Sequence, residues 1–307
     1  MDKKLVILDV DFTLFNWLPY WYHAHSSMLR LVSVITGIQK EVLWDEARDV
    51  FRKHGTAEYP FLVQSLPSVI KHYAEVPFED FLAQCLNPAV ECYKENARDH
   101  FRCFEGVVET IKEIHARRLP IAILTDAPRY VALWRLKKMG ILNYLDSVWG
   151  LEDPFMPICQ KTGKVLVHPD TLQKHHRRDF CGFQGHTETL SESYEKPDPR
   201  GLKRILMHYD ILDEPMSALW VGDNLTKDIL VGERVGVFTV WAKYGFDAFM
   251  TIAMSSDEII NFYNRLNPPE LHAKRGARHF AKGEDGFENP PEPDATISSF
   301  SEILQFL

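Results

Sequence analysis

The chain has 307 residues, 45% hydrophobic and 25% charged, which is the composition of a globular protein large enough for a full hydrophobic core. Its net charge of -8 argues against nucleic acid and anionic membrane surfaces as main partners. The apolar run at the N-terminus is too short for a signal peptide, and no stretch reaches the roughly 18 uncharged apolar residues of a membrane-spanning helix.

Short continuous apolar runs along the chain predict strands that are buried on both faces, as in a parallel sheet. Between these runs, residues such as 105–118 place apolar side chains three and four positions apart, which predicts helices that face a core. Strands that alternate with helices predict an open, doubly wound α/β sheet. The predicted strands cover residues 4–10, 119–124, 217–221 and 236–242, and residues 295–307 predict a last strand and helix.

Residues 16–100 follow a different pattern, with helical periodicity and no strand-like run. They predict a separate helical domain inserted after the first strand, so that the core comprises residues 1–15 and 101–307. Two further segments fit the alternation poorly. Residues 151–195 are polar and predict an insertion, whereas residues 267–294 are rich in Pro, Gly and charge and are expected to form a mobile loop.

Two carboxylates, Asp9 and Asp11, end the first predicted strand. In an open α/β sheet, ligands bind beyond the carboxyl ends of the strands, and residues two positions apart point to the same side. Carboxylates this close repel each other unless a proton or a cation lies between them. The pair suits phosphoryl transfer, in which one carboxylate attacks phosphorus and the other handles the proton of the leaving group. The alternative is that both residues only end a strand and cap a turn.

Three later segments carry polar residues that suit the same chemistry. Thr125 and Asp126 follow the second predicted strand, where a hydroxyl and backbone N–H groups could hold a phosphate oxygen. Lys196 precedes a predicted helix and offers a compact positive charge for a phosphate. Asp223 and Asp228 follow the third strand and are the hard oxygen ligands that Mg²⁺ prefers. Each alone could be a helix cap or a solvated residue, but their order and placement favour one site.

Together these segments resemble the four motifs of the haloacid dehalogenase-like hydrolase superfamily. The motifs correspond to DVDFT at residues 9–13, LTD at 124–126, Lys196 in EKPDP, and GDNLTKD at 222–228. The resemblance covers residues 1–15 and about 101–245, with the last strand and helix. It implies a doubly wound, mostly parallel Rossmann-like core with a helical cap domain of the C1 type at residues 16–100. The motifs are specific for the superfamily and say little about the substrate.

The resemblance implies that the protein is a Mg²⁺-dependent phosphatase acting on a small phosphorylated metabolite. Asp9 would attack the phosphoryl group and form an aspartyl-phosphate, while Asp11 would protonate the leaving oxygen and then activate water. The phosphate would contact Thr125, Asp126 and Lys196. The implied Mg²⁺ ligands are Asp9, Asp11 through its backbone carbonyl, Asp223 and Asp228.

Other activities on the same residues stay open. A phosphomutase or phosphotransferase would pass the phosphoryl group to a sugar or alcohol. A dehalogenase would need Asp9 but not Asp11 as an acid, and a non-enzymatic binding protein would be expected to have lost a motif residue, which has not happened here. The chain departs from the family at Phe12, where most relatives have Gly or a small or acidic residue. It departs again at Asp126, where many have Asn; a charge there could select against a second anionic group.

Two weaker candidates for substrate contacts also have purely structural explanations. The residues that follow the first motif could line a pocket, although such a cluster is more often helix core. Arg129 could bind a substrate anion, although a solvated arginine at a helix start is more common. The clustered residues are Trp17, Tyr20, Trp21, Tyr22, His23 and His25.

Cysteine usage bears on location and on metal binding. Five scattered cysteines, an odd number, argue against a disulfide framework and predict a cytoplasmic location. Several cysteines and histidines share one segment, but no C-x₂-C pair is present and the spacing fits no common structural zinc pattern, so a polar surface excursion is favoured over a zinc site. These residues are Cys159, His168, His175, His176, Cys181 and His186.

Overall fold

The structure, a computed structural model, describes residues 2–153, 182–267 and 291–307. Within these ranges, seven strands form one sheet in the order β4-β3-β2-β1-β5-β6-β7, and all neighbouring strands are parallel. The strands are β1 (Leu5–Leu8), β2 (Ile121–Pro128), β3 (Ser147–Leu151), β4 (His186–Leu190), β5 (Ala218–Gly222), β6 (Phe238–Ala242) and β7 (Ala295–Ile297). The predicted doubly wound, mostly parallel α/β sheet is confirmed. From β1 the chain adds β2, β3 and β4 on one side, and then β5, β6 and β7 on the other side of β1. Such sheets bind ligands at the point where the strand order reverses in this way.

Helices connect the strands. They are α1 (Trp17–Thr36), α2 (Lys40–His54), α3 (Pro67–His72), α4 (Phe78–Phe81), α5 (Asn87–His100), α6 (Val107–Ala116), α7 (Arg129–Lys138), α8 (Pro199–His208), α9 (Leu230–Val235), α10 (Lys243–Ser255) and α11 (Asp257–Leu266). A π-helical turn over Leu82–Leu86 joins α4 to α5, and another over Leu225–Ile229 leads into α9. The chain ends in a 3₁₀ helix over Phe300–Phe306. None of the described helices is long and apolar enough to cross a membrane.

Helices α1 to α5 lie between β1 and β2 in the chain, and we call residues 17–100 the helical insertion. The long helix α1 packs along α5 and buries side chains such as Leu18 and Trp21. It ends at Gly37, which has the positive φ of 71° that closes a helix without a Cβ penalty. The helical content of this segment agrees with its periodicity. Its action as a cap domain stays a prediction.

A helical hairpin formed by α10 and α11 follows β6 and packs on the helical insertion; we call it the C-terminal hairpin (Lys243–Leu266). Arg265 lies 3.0 Å from Asp45 of α2, and the Phe262 ring meets Trp44 of the same helix edge to face at 5.2 Å. The hairpin therefore holds the helical insertion with both apolar and charged contacts.

Several segments differ from the sequence prediction or lie outside the described residues. Residues 186–190, placed above in a polar insertion, form the edge strand β4, whose mixed sequence HTETL reflects a strand with one solvated face. The neighbouring β3 was not predicted. Residues 154–181, with five of the six zinc candidates, and residues 268–290, most of the expected loop, lie outside the described ranges.

Candidate active site

Three buried carboxylates meet at the carboxyl end of the central strands. Asp9 directly follows β1, and its N–H donates to the carbonyl oxygen of Val221 in β5 at 3.0 Å. Asp223 and Asp228 follow β5, and one carboxylate oxygen from each of the three aspartates lies within 4.8 Å of the others. All three side chains are almost excluded from solvent. The sequence prediction that these residues share one edge of the sheet agrees with their positions.

Gly222 makes this crowding possible. A Cβ at residue 222 would overlap the side chain of Asp228, so only glycine lets that carboxylate fold back against β5. The side-chain oxygen of Asn224 accepts hydrogen bonds from the N–H groups of Thr226 and Lys227, at 3.0 and 3.1 Å, and so caps the turn that carries Asp228. The motif spacing thus fixes where the carboxylates point.

Lys196 bridges the carboxylates. Its Nζ lies 2.6 Å from Asp9 Oδ1 and 2.6 Å from Asp228 Oδ1, and only 3% of the residue is exposed. Burial alone would lower the pKa of Lys196, but the carboxylates of Asp228, Asp9 and Asp126 together raise it well above its usual range. The ammonium is therefore fully charged between these carboxylates.

One lysine does not balance this much negative charge. Burial, with the neighbouring carboxylates of Asp228 and Asp11, raises the pKa of Asp9 to about 8 against the pull of Lys196. Burial, together with Asp228 and Asp9, also raises the pKa of Asp223 well above its usual range. Carboxylates in this state gain most from a hard cation, and Mg²⁺ typically takes one or two of them with water and phosphate oxygens. The donor set therefore fits Mg²⁺.

Asp11 is held by an arginine that the sequence did not single out. Arg135 of α7 is fully buried, and its Nη1 donates to both carboxylate oxygens of Asp11, at 2.9 and 3.2 Å. Its Nη2 donates to Glu58 of the helical insertion, which also accepts from Trp17 Nε1 at 2.9 Å. Burial raises the pKa of Asp11 although Arg135 and Lys196 oppose the shift. Arg135 thus ties Asp11 of the core to the helical insertion.

The second motif lies beside Lys196. The buried hydroxyl of Thr125 accepts from the N–H of Ala127 at 3.2 Å, which leaves its O–H free to donate. Asp126 Oδ1 accepts from the backbone N–H of Lys196 at 3.0 Å, and Oδ2 lies 3.0 Å from Lys227 Nζ. Burial would raise the pKa of Asp126, but Lys227 and Lys196 lower it below its usual value. Asp126 therefore orients both lysines, and its contact with phosphate stays a prediction.

Comparison with known proteins identifies the family of the chain. The family model described as haloacid dehalogenase-like hydrolase matches residues 6–157, about half of the chain. The chain belongs to the haloacid dehalogenase-like hydrolases. A phosphoglycolate phosphatase from Vibrio vulnificus (strain CMCP6) is 22% identical to this hydrolase over 261 residues, 84% of this chain and 92% of that protein.

Two further relatives show how the similarity is distributed. A glyceraldehyde 3-phosphate phosphatase from Pyrococcus furiosus is 41% identical over 54 residues, which are 18% of this chain and 22% of that protein. A 2-haloacid dehalogenase from Pseudomonas syringae pv. Tomato DC3000 has a TM-score of 0.50 and 15% identity, covering 99% of this chain and 97% of that chain. The last likeness shows that the hydrolase shares the fold of that enzyme.

A cavity of about 170 Å³ opens from the carboxylates of the hydrolase toward the helical insertion and the C-terminal hairpin. Its walls include Trp17 of α1, Phe249 of α10 and Tyr263 of α11, of which only Trp17 belonged to the predicted aromatic cluster. The buried members of that cluster, such as Trp21, are helix core instead. Arg129, the other weak candidate, forms an ion pair with Asp153 at 3.1 Å.

The first motif and the C-terminal hairpin approach each other very closely at Gly245. A Cβ there would overlap the carbonyl oxygen of Phe12 and come within 3.1 Å of Asp223 Cβ. Gly245→Ala should therefore lower the free energy of unfolding by about 3 kcal/mol, because backbone atoms cannot move aside cheaply. Chemical denaturation measures this. Met254→Ala, at an 83% exposed position of the same helix, should change stability by less than about 0.5 kcal/mol. Equal stabilities of the two variants would contradict the close approach.

Proposed function

We propose that this hydrolase is a Mg²⁺-dependent phosphatase that hydrolyses a small phosphate monoester through an aspartyl-phosphate on Asp9. The observation that carries the proposal is the buried Asp9 carboxylate, 2.6 Å from Lys196 and clustered with Asp223 and Asp228 at the edge of the sheet. The two curated relatives are named as phosphatases of phosphoglycolate and of glyceraldehyde 3-phosphate, both phosphate monoesters, which supports the same reaction class here.

In the first step, a carboxylate oxygen of Asp9 attacks phosphorus. The new bond to phosphorus forms while the bond from phosphorus to the ester oxygen breaks. Asp11, as a carboxylic acid, gives its proton to the departing oxygen, so the alcohol leaves as a neutral molecule. Burial, which raises the pKa of Asp11, favours the protonated form that this step needs.

In the second step, water replaces the carboxylate. Asp11, now ionised, takes a proton from a water molecule whose oxygen attacks phosphorus, and the bond between phosphorus and Asp9 breaks. Inorganic phosphate leaves, and Asp9 and Asp11 return to their starting forms. Lys196 Nζ and the Thr125 hydroxyl hold the phosphoryl oxygens throughout, since both are buried donors that line the same cavity.

Mg²⁺ would be held by Asp9, by the Asp11 backbone carbonyl and by Asp223, with Asp228 close by, and when bound it neutralises negative charge on the phosphoryl group. The direct test is hydrolysis of 4-nitrophenyl phosphate by protein freed of metal. Activity should appear only when Mg²⁺ is added. Transfer to an added alcohol that outpaces hydrolysis would favour a phosphotransferase, and failure to hydrolyse any phosphate ester would contradict the proposal.

Metal binding should also stabilise the fold in a pH-dependent way. The pKa of Asp9 is raised to about 8 in the folded protein, so its ionisation costs stability as the pH rises from about 4 through 8. Bound Mg²⁺ removes that cost, and protons compete with Mg²⁺ for the Asp9 carboxylate less at high pH. We expect the Tm to rise by about 5 °C at a hundredfold excess of Mg²⁺ over its Kd. The rise should be larger near pH 8 than near pH 5.

Differential scanning fluorimetry measures this, and two variants make it specific. Asp223→Asn removes a proposed ligand and should reduce the Mg²⁺-dependent rise in Tm, whereas Asp213→Asn, at an exposed position, should leave it unchanged. The same rise in both variants would show that Mg²⁺ stabilises the protein from somewhere other than the carboxylate cluster.

A further inference from the structure

Four aromatic rings line part of the cavity. Phe12, Trp17, Tyr263 and Phe249 follow one another in a closed circuit, with centroids 6.2 Å apart for Phe12 and Trp17, 6.2 Å for Trp17 and Tyr263, 6.3 Å for Tyr263 and Phe249, and 5.6 Å for Phe249 and Phe12. Neighbouring ring planes cross at 66° to 90°. Rings set at such angles around a space form the walls of a box rather than a stack, and we call these four residues the aromatic box.

The aromatic box draws its walls from three separate parts of the chain. Phe12 belongs to the first motif and has a positive φ of 59°, which is uncommon outside glycine. Trp17 is held in place by its hydrogen bond to Glu58. Phe249 and Tyr263 come from the C-terminal hairpin. The bulky Phe12 therefore forms a wall together with a hairpin that packs against it.

Charge in the cavity favours a cationic ligand group. Seven carboxylate side chains line the cavity; Lys196, Lys227, Arg135 (paired with Asp11 and Glu58) and a bound Mg²⁺ would together offset five of these charges, which leaves an excess of two. A phosphate ester whose alcohol carries a further negative charge would meet this excess of carboxylates, whereas a positive group would be attracted to it. Aromatic faces attract cations as well, when the cation lies within roughly 6 Å of the ring centroid. Centroids spaced as above place a cation between the rings inside that distance.

Asn267, the last residue before the undescribed segment, gives an independent sign that something binds here. It lines the same cavity and is 3% exposed, yet within the described ranges neither its side-chain oxygen nor its side-chain nitrogen has a hydrogen-bond partner. A buried amide without a partner is costly, which marks it as a group that awaits a ligand or a bridging water. Its carbonyl dipole can face a cation directly.

We propose that the substrate is a phosphate monoester of an amino alcohol, with the phosphoryl group at Asp9 and Lys196 and a methylated ammonium group in the aromatic box. This inference rests on the proposed phosphatase function and names the alcohol. Quaternary ammonium groups are recognised by such rings because they are cationic, weakly hydrated and have no N–H group with which to donate a hydrogen bond. Carboxylates that line the cavity supply the long-range attraction.

A matched pair of substrates tests the proposal. Phosphocholine and 3,3-dimethylbutyl phosphate have the same shape, and differ only in a nitrogen cation replaced by neutral carbon. We expect kcat/KM to favour phosphocholine by about 30-fold, the value of one desolvated cation–π contact. Equal hydrolysis of the two esters, or hydrolysis of 4-nitrophenyl phosphate without that of phosphocholine, would overturn the aromatic-box proposal and leave the phosphatase intact. Failure with every ester would instead contradict the phosphatase function.

A variant separates attraction by the ring from simple apolar packing. Phe249→Leu keeps an apolar side chain but removes one aromatic face, so kcat/KM for phosphocholine should fall by about tenfold while that for 3,3-dimethylbutyl phosphate stays nearly constant. Phe246→Leu, on the same helix and outside the cavity lining, should leave both values unchanged. A parallel loss for both esters in Phe249→Leu would show that the ring only fills space, and would contradict the proposal.

Discussion

Asp9→Asn is expected to reduce kcat for phosphate ester hydrolysis by at least about 10⁴-fold while the protein stays folded. An amide oxygen is too weak a nucleophile to form the acyl phosphate, so the covalent route closes. The amide keeps the shape of the carboxylate and an oxygen that can accept from Lys196, now 2.6 Å from Asp9 Oδ1. Hydrolysis of 4-nitrophenyl phosphate with saturating Mg²⁺ measures the loss.

Stability measurements on Asp9→Asn distinguish the loss of the nucleophile from the loss of the folded state. The wild-type protein pays for ionising Asp9 as the pH rises through its raised pKa of about 8, and the neutral amide does not. Without Mg²⁺ near pH 8, the variant should therefore unfold at the wild-type temperature or above it. Asp213→Asn, exposed and outside the four motifs, serves as the matched control and should keep full activity. Full activity in Asp9→Asn would remove this residue from the mechanism.

Asp11→Asn should produce a loss that depends on the leaving group. Without a proton donor, an alkyl phosphate such as ethyl phosphate must release an alkoxide, and we expect kcat/KM to fall by about 10³-fold. The nitrophenolate anion leaves readily without a proton, so formation of the aspartyl-phosphate from 4-nitrophenyl phosphate should be much less affected. Stopped-flow and steady-state assays of the two substrates measure the difference.

The same variant should slow the second step, because Asp11 also activates water. With 4-nitrophenyl phosphate, a burst of about one nitrophenolate per enzyme should precede a slow steady state. Loss of a carboxylate beside the buried Arg135 also strains the fold, so the Tm must be measured alongside. A folded variant that loses the same activity on both substrates and shows no burst would contradict the acid and base roles of Asp11.

The sequence was sufficient to bring the candidate residues Asp9, Thr125 and Asp223 to one edge of the sheet, because they lie at or near the ends of largely buried central strands. Strands β1, β2 and β5 have apolar runs that end at polar residues, and parallel strands bring those ends to one edge of the sheet. Edge strands carry a weaker pattern. β4 has only one apolar residue in five, Leu190, so its period-two alternation is faint and its residues resemble a polar loop.

Side chains that reach the site from distant segments could not be predicted from the sequence around them. Arg135 resembles a solvated helix residue because arginine is rarely buried, and its partners Asp11 and Glu58 are 124 and 77 positions away in the chain. Periodicity likewise predicts that a helix has an apolar face without saying which partner covers it. The contribution of Phe249 and Tyr263 to the cavity therefore appears only when the C-terminal hairpin is seen against the helical insertion.

The most direct test of the aspartyl-phosphate mechanism is to identify the phosphorylated residue. Asp11→Asn would be mixed with 4-nitrophenyl phosphate and Mg²⁺, quenched during the burst, and reduced with borohydride, which converts an aspartyl-phosphate to homoserine. Peptide mass spectrometry should then locate homoserine at position 9 and not at Asp11, Asp223 or Asp228. Homoserine at another position, or unmodified Asp9 in an enzyme that shows the burst, would contradict nucleophilic catalysis by Asp9.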